Sequence, residues 1–214
     1  MTTDHYVPDP ESETTALIEA FHAHLSGAGV AEELSAAIRS RHLALLAANQ
    51  HLVVDEPGRH NIRLTLVAAA AYELLRPTLG EPEAIRTVEA AVVEPFGPFV
   101  AESTKAMLDN AEDPYEAMVT MAKSRETQSF GAGFTFHHTV DDGERFHQDV
   151  HRCHYHDVLV ANGVPELTPA LCAFDRNWID AIDPDRHGFR FDRKTTIGMG
   201  GTHCPFHFSR VPKD

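Results

Sequence analysis

The sequence predicts an α+β fold, in which a helical N-terminal half packs with a small antiparallel sheet in the C-terminal half. Three observations predict it. Residues 13–128 carry apolar side chains at helical spacing, with Pro, Gly and Asp at the breaks. Beyond Phe130 the apolar pattern shortens to a period of two. Turn signals then divide the C-terminal half into the order β-β-α-α-β-β. With no internal repeat or long linker, residues 13–214 are expected to form one domain behind a flexible lead of residues 1–12. Its helical part covers 13–128 and its sheet-containing part 129–214.

The helices follow from their caps and stripes. An acidic, Ser/Thr-rich lead offers capping oxygens to "TTALIEAFHAHL", where Leu17, Ile18, Phe21 and Leu25 share one face. "AEELSAAIRSRHLALLAANQ" repeats the pattern with Leu34, Ile38, Leu45 and Leu46. "NIRLTLVAAAAYELLRPTLG" is apolar on most sides, so it is expected to be the most buried helix, ended by Pro77 and Gly80. The stretch 81–111 is one or two helices, broken at "EPFGPF" by Pro95, Gly97 and Pro98. "DPYEAMVTMAKSRETQ" opens with Asp113 as cap and Pro114 in the first turn.

In the second half, "GAGFTFHHTV" and "ERFHQDVHR" alternate and flank "DDG", a hairpin signal. "CHYHDVLVANG" reads as a short helix closed by Asn162 and Gly163, and "ELTPALCAFDRNWIDAI" as a second helix ended by "DPDRHG". "FRFDRKTTI" and "HCPFHFSRV" are strands joined by "GMGG", with Pro205 implying an edge strand or a bulge.

Composition excludes several classes of function. The net charge of −14 provides no basic footprint for a nucleic acid or an anionic membrane surface. No apolar run approaches the ~20 residues that span a bilayer, and "MTTDHYVPDPESETT" lacks the features of a secretory leader. Three cysteines is an odd count that fits free thiols in a reducing cytoplasm better than a disulfide framework. A small molecule is the expected partner; homo-oligomerisation is left open.

The chemistry lies toward the C-terminus. All three cysteines are there, with His137, His138, His147, His151, His154, His156, His187, His203 and His207. His5, His22, His24, His42, His51 and His60 are scattered without partner spacing and read as surface or core residues. Cys153 sits at a strand-to-helix junction, where the helix dipole and free N–H groups favour a thiolate, with His154 and His156 beside it as base or ion-pair partner. Packing as a small buried hydrophobe is the competing reading. Cys172 and Asp175, three apart, share a helix face. Cys204, Phe206 and Phe208 share one face of their strand, His203 and His207 the other. The backbone around Gly198, Gly200 and Gly201 offers N–H groups to a developing oxyanion or merely a hairpin connection. No cofactor is expected. Zinc held by the same Cys and His groups is the alternative, although the spacing has no knuckle and His147 and His151 stand about 13 Å apart on a strand.

"RCHYHDVLVANGVPELTPALCAFDRNWIDAI" followed by "FRFDRKTTIGMGGTHCPFHFSR" resembles the L-2-amino-thiazoline-4-carboxylic acid hydrolase family. The matching elements are Cys153 with Tyr155, the turn Gly163–Leu167, Cys172 with Asp175, Arg193 with Thr196, and Gly200 or Gly201 with Cys204 and Phe206. The resemblance covers about residues 130–210 and departs at Pro205, where the family often has an acid. It implies a hydrolase that opens a small cyclic amidine or thiazoline carboxylate to an N-carbamoyl amino acid, or a related ring-opening or ring-closing step of a biosynthetic pathway. On that footing Cys153 is the nucleophile, His154 or His156 its base, and Asp175 orients the base or binds the protonated ring nitrogen. Cys172, Thr196 and Cys204 line the pocket, and Arg193 holds the substrate carboxylate. A zinc hydrolase and a non-catalytic ligand-binding or redox-sensing domain are the alternatives.

Overall fold

The computed structural model describes residues 10–212. His5 and most of the expected flexible lead lie outside the described residues, and helix α1 (Pro10–Gly27) begins within that lead. It is followed by α2 (Glu32–Ala48), α3 (Glu56–Leu79), α4 (Glu81–Val93), α5 (Gly97–Asn110) and α6 (Pro114–Arg125). The break between α4 and α5 falls at the expected prolines. Among the described residues no helix is long and apolar enough to cross a membrane.

Helix α3 is the axis of the helical half. Ala68, Ala69, Ala70 and Ala71 are fully buried, and such small side chains let α1, α2 and α4 approach its backbone. Asp55 caps it, accepting the Gly58 amide at 2.7 Å. The helix passes through Pro77 and stops at Gly80, which corrects the expected end: in the last turn a missing N–H removes one backbone bond and little else. Asp113 caps α6 as expected, accepting the Glu116 amide at 3.2 Å, and pairs with Arg210 at 2.6 Å.

After α6 the chain widens into a π-helical turn (126–130) and a tight turn (131–133) that alternation had assigned to a strand. Strand β1 (Thr135–Asp141) then pairs with β2 (Arg145–Arg152). Next come α7 (His154–Ala161), α8 (Thr168–Cys172), α9 (Arg176–Ile179), α10 (Pro184–His187), β3 (Phe189–Asp192) and β4 (Cys204–Arg210). The strand order is β1-β2-β4-β3, antiparallel throughout. The expected α-α between the strand pairs is four short helices. The one long helix expected over "ELTPALCAFDRNWIDAI" tightens at Ala173–Asp175, where Asp175 turns its carboxylate to Trp178 and Arg193. Strand β4 is interior, not an edge. Pro205 is tolerated because β3 pairs only as far as His207, so no β3 ladder bond requires its missing N–H.

One sheet face is covered. Phe146, Phe189 and Phe208 pack with Leu108, Tyr115, Met118 and Trp178 in one cluster. Phe134, Val150 and Cys204 form a second, joined by Phe130, Phe136, Cys153, Tyr155, Ile197 and Phe206. Alternation turns His137, His147, Asp149, His151 and His207 to the opposite face.

The turn after α6 is held by Asp55, whose second oxygen accepts the Ala132 amide at 2.5 Å. Gly131 has φ +68° and a Cβ there would overlap the Asp55 carboxylate, whereas Gly143 (φ +77°) has open space around it. Gly143→Ala is therefore expected to cost about 1–2 kcal/mol from backbone strain alone. Gly131→Ala should cost roughly 3 kcal/mol or more, because the same strain is joined by loss of the Asp55 bond. Urea denaturation of the two variants checks the order.

Candidate active site

The fold brings the three cysteines to one end of the covered sheet face. Cys153 is the last residue before α7, with extended backbone (φ −122°, ψ 112°). Cys204 opens β4, and the β2–β4 register sets it opposite Val150, three residues before Cys153. Cys172 ends α8. A charge on Cys172 or Cys204 would push the Cys153 thiol up, and one on Cys172 would do the same to Cys204, so the sulfurs form one electrostatic group. All three are free thiols.

Burial dominates their ionisation. It pushes Cys153 up to about 12, against the pull of the His156 and Tyr155 amides at the helix start. Burial likewise takes Cys204 to about 11, although the Ile197 amide donates to its sulfur at 3.1 Å. Cys172 is raised too, opposed by the Thr196 hydroxyl. The thiolate expected from the α7 dipole is thus outweighed by desolvation in the resting site.

Asp175 and Arg193 meet as an ion pair. Asp175 also accepts Trp178 Nε1 at 3.0 Å, and Arg193 donates to the Cys172 carbonyl at 3.3 Å while lying 5.2 Å from the Phe206 ring centre. The guanidinium expected to hold a substrate carboxylate is already engaged by Asp175. Thr196 is buried and caps the next turn, accepting the Met199 amide at 3.2 Å.

The other candidates are turned elsewhere. The His154 ring is buried beneath Gly133, whose Cβ would come 2.8 Å from its Cγ, and its Nε2 has no hydrogen-bond partner. Burial lowers its pKa and keeps it neutral. His156 Nδ1 lies 2.9 Å from Thr168 Oγ1; that hydroxyl donates to the Pro165 carbonyl at 2.8 Å, so the imidazole is the donor to it. Neither imidazole hydrogen-bonds the Cys153 sulfur. The Gly200 and Gly201 amides donate to Ile197 and Thr196 carbonyls, both at 3.0 Å, which leaves neither free for an oxyanion.

Tyr155, which the resemblance matched without a role, and Asn61, which sequence reasoning passed over, complete the cluster. Tyr155 donates its hydroxyl to Asn61 Oδ1 at 3.0 Å, and Asn61 Nδ2 donates to the Ser129 carbonyl at 2.9 Å, stitching α3 to the π-helical turn. Burial raises the Tyr155 hydroxyl well above the usual range. The signal for Asn61 was available, since a polar residue opens the mostly apolar "NIRLTLVAAAA".

The histidine-rich strands form a separate feature. His147 stacks on His207 (4.1 Å between ring centres), His151 on His203 (5.3 Å), and His137 lies 4.4 Å from His151. Asp149 accepts His207 Nε2 at 2.8 Å, with His203 Nε2 at 3.9 Å. Burial, followed by the His207 charge, lowers the His147 pKa. Among the described residues no group of three or more His, Cys, Asp or Glu side chains is arranged to hold a metal ion. A cavity of about 280 Å³ lies apart from the thiols, between α1, α2 and α3, lined by His22, Arg39 and His42.

The family model described as L-2-amino-thiazoline-4-carboxylic acid hydrolase matches residues 59–208. The match reaches well into the helical half, where the sequence offered no motif. No curated protein and no solved structure matches the chain.

The thiols have a thermodynamic consequence. The folded protein holds the Cys153 and Cys204 protons more tightly than an unfolded chain, in which they leave near pH 9. Their contribution to stability is full below pH 9 and is lost as pH rises through about 11 and 12. The urea midpoint is expected to fall between pH 8 and pH 10.5, and Cys153→Ala to reduce that fall. A fall of equal size in the variant would exclude Cys153 as a source.

Proposed function

The chain belongs to the L-2-amino-thiazoline-4-carboxylic acid hydrolase family, and from that premise we propose that it hydrolyses a small cyclic amidine carboxylate of the thiazoline type at the cluster around Cys153, Cys172 and Cys204. The observation that carries the reading is the family match. The convergence of the three thiols with Asp175 and Arg193 supports this part of the chain as the place.

In this reading water adds across the amidine carbon and the ring carbon–sulfur bond breaks. The water oxygen becomes the carbamoyl oxygen, one proton goes to the ring nitrogen and one to the departing sulfur. Cys153 is the attacking group. Its thiol enters neutral, as burial requires. The proton passes to the ring nitrogen of the substrate as sulfur attacks carbon, because the His154 ring lies buried under Gly133 and His156 is bonded to Thr168. A neutral thiol and a neutral amidine can share a desolvated pocket that would exclude a lone thiolate. Opening the ring leaves the carbon bonded to Cys153, and water then releases it and returns the thiol. Asp175, oriented by Trp178 and Arg193, faces the amidinium charge that develops. Cys172, Thr196 and Cys204 line the walls as neutral groups.

Incubation with L-2-amino-thiazoline-4-carboxylate is expected to yield a product heavier by one water that carries a free thiol, detected by mass spectrometry and thiol titration. Cys153→Ala should lower kcat by at least ~10³-fold, with Cys172→Ala far milder. Turnover unchanged in Cys153→Ala would remove the nucleophile. Binding without product across a panel of cyclic amidines would favour a ligand-binding domain.

A further inference from the structure

The charge balance of the cluster leaves one group unaccounted for. The thiols are neutral, and Asp175 and Arg193 cancel one another. Arg125, the last residue of α6, adds a positive charge. Every other arginine in the chain reaches a carboxylate. Arg125 alone has no such ion pair among the described residues, in a chain with 32 acidic side chains.

Arg125 is half-buried, and its guanidinium lies 5.4 Å from the centre of the Phe130 ring. Phe130 packs in the same cluster as Cys153, Tyr155 and Cys204. The Arg125 charge lowers the Tyr155 pKa and that of Asp175 raises it, so both lie within electrostatic reach of that phenol. The π-helical turn that begins at the next residue is fixed by Asn61, which donates to the Ser129 carbonyl and accepts from Tyr155. Arg125 and the thiols are therefore held in one frame. A half-desolvated guanidinium is stabilised by a carboxylate in bidentate contact, and an aromatic face beneath it sets its plane.

We infer that Arg125, stacked on Phe130, binds the carboxylate of the substrate and fixes the orientation of the ring against Cys153. The inference rests on reading the cluster as the site of a thiazoline-carboxylate hydrolase, and it moves the anionic subsite from Arg193 to a residue that no sequence motif marked.

The test compares wild type, Arg125→Gln and Arg125→Lys on L-2-amino-thiazoline-4-carboxylate and on 2-amino-thiazoline, which lacks the carboxylate. Arg125→Gln is expected to raise KM for the carboxylate roughly 10- to 100-fold with kcat within a few-fold, to leave the uncharged analogue unaffected, and to be partly rescued by Arg125→Lys. An unchanged KM, or an equal loss on both compounds, overturns the inference. If wild type turns over neither compound, the hydrolase reading falls, and calorimetric binding of thiazolidine-4-carboxylate decides Arg125 by itself. Binding weakened in Arg125→Gln with wild-type thermal stability upholds a carboxylate site; equal binding, or none to wild type, removes it.

Discussion

The register of β2 against β4 is the constraint on which the rest of the molecule depends. Pairing Val150 with Cys204 turns Phe146, Val150, Cys204, Phe206 and Phe208 toward the helices and leaves His147, Asp149 and His207 on the other face. A slip of one residue would bury the imidazoles and expel the thiol. The fully buried Phe146 and Phe208 make such a slip expensive, each a large side chain worth about 2–3 kcal/mol of transfer free energy. The sheet thereby separates two chemistries by strand alternation alone: soft, neutral sulfur on the covered face, titratable nitrogen on the other.

On the covered face desolvation overrules the helix dipole. Cys153 occupies the position where a first-turn amide pair and a dipole favour a thiolate, yet burial prevails and the thiol is held protonated. The same logic explains why Asp175 and Arg193 appear as a pair, with Trp178 and the Cys172 carbonyl taking remaining hydrogen-bonding capacity. A site built this way is insulated while empty. On the proposed reading, charge would develop in it only when a substrate brought both a proton acceptor for Cys153 and an anion for Arg125.

Much of the framework was legible in the sequence because it rests on local rules. The stripes of the helices, the Asp113 cap, the "DDG" hairpin and the Asn162–Gly163 stop act over a few residues, and the structure follows them. The C-terminal motifs likewise pointed to the thiols and to Asp175 that the fold gathers. What escaped depends on long-range placement. The π-helical turn after Arg125 is bound by Asn61 at the Ser129 carbonyl, and the tight turn that follows it by Asp55 at the Ala132 amide, both from more than sixty residues earlier. His154 is adjacent to Cys153 in sequence, yet the start of α7 turns its ring under Gly133. The glycine amides near residue 200 looked available until the turn engaged them. Arg125 has no motif around it, and its singularity is visible only once every other arginine has found its carboxylate.

These long-range ties assign different tasks to parts of the helical half. Helices α1 and α2 pack on α3 and bury its alanine face, and they lie outside the matched span of 59–208. Helix α3 reaches the cluster directly: its second turn carries Asn61, and its cap Asp55 holds the tight turn 131–133. With α7 packed against it, α3 carries the phenol of Tyr155 and, through the Ser129 carbonyl, the mouth of the π-helical turn. Asn61 thus joins three separate segments with one amide, accepting from Tyr155 and donating to the Ser129 and Phe130 carbonyls of the turn. A hydrophobic residue there would leave the Tyr155 hydroxyl and the Ser129 carbonyl without this partner, so the polarity of position 61 serves the packing of α3 against α7 and the turn.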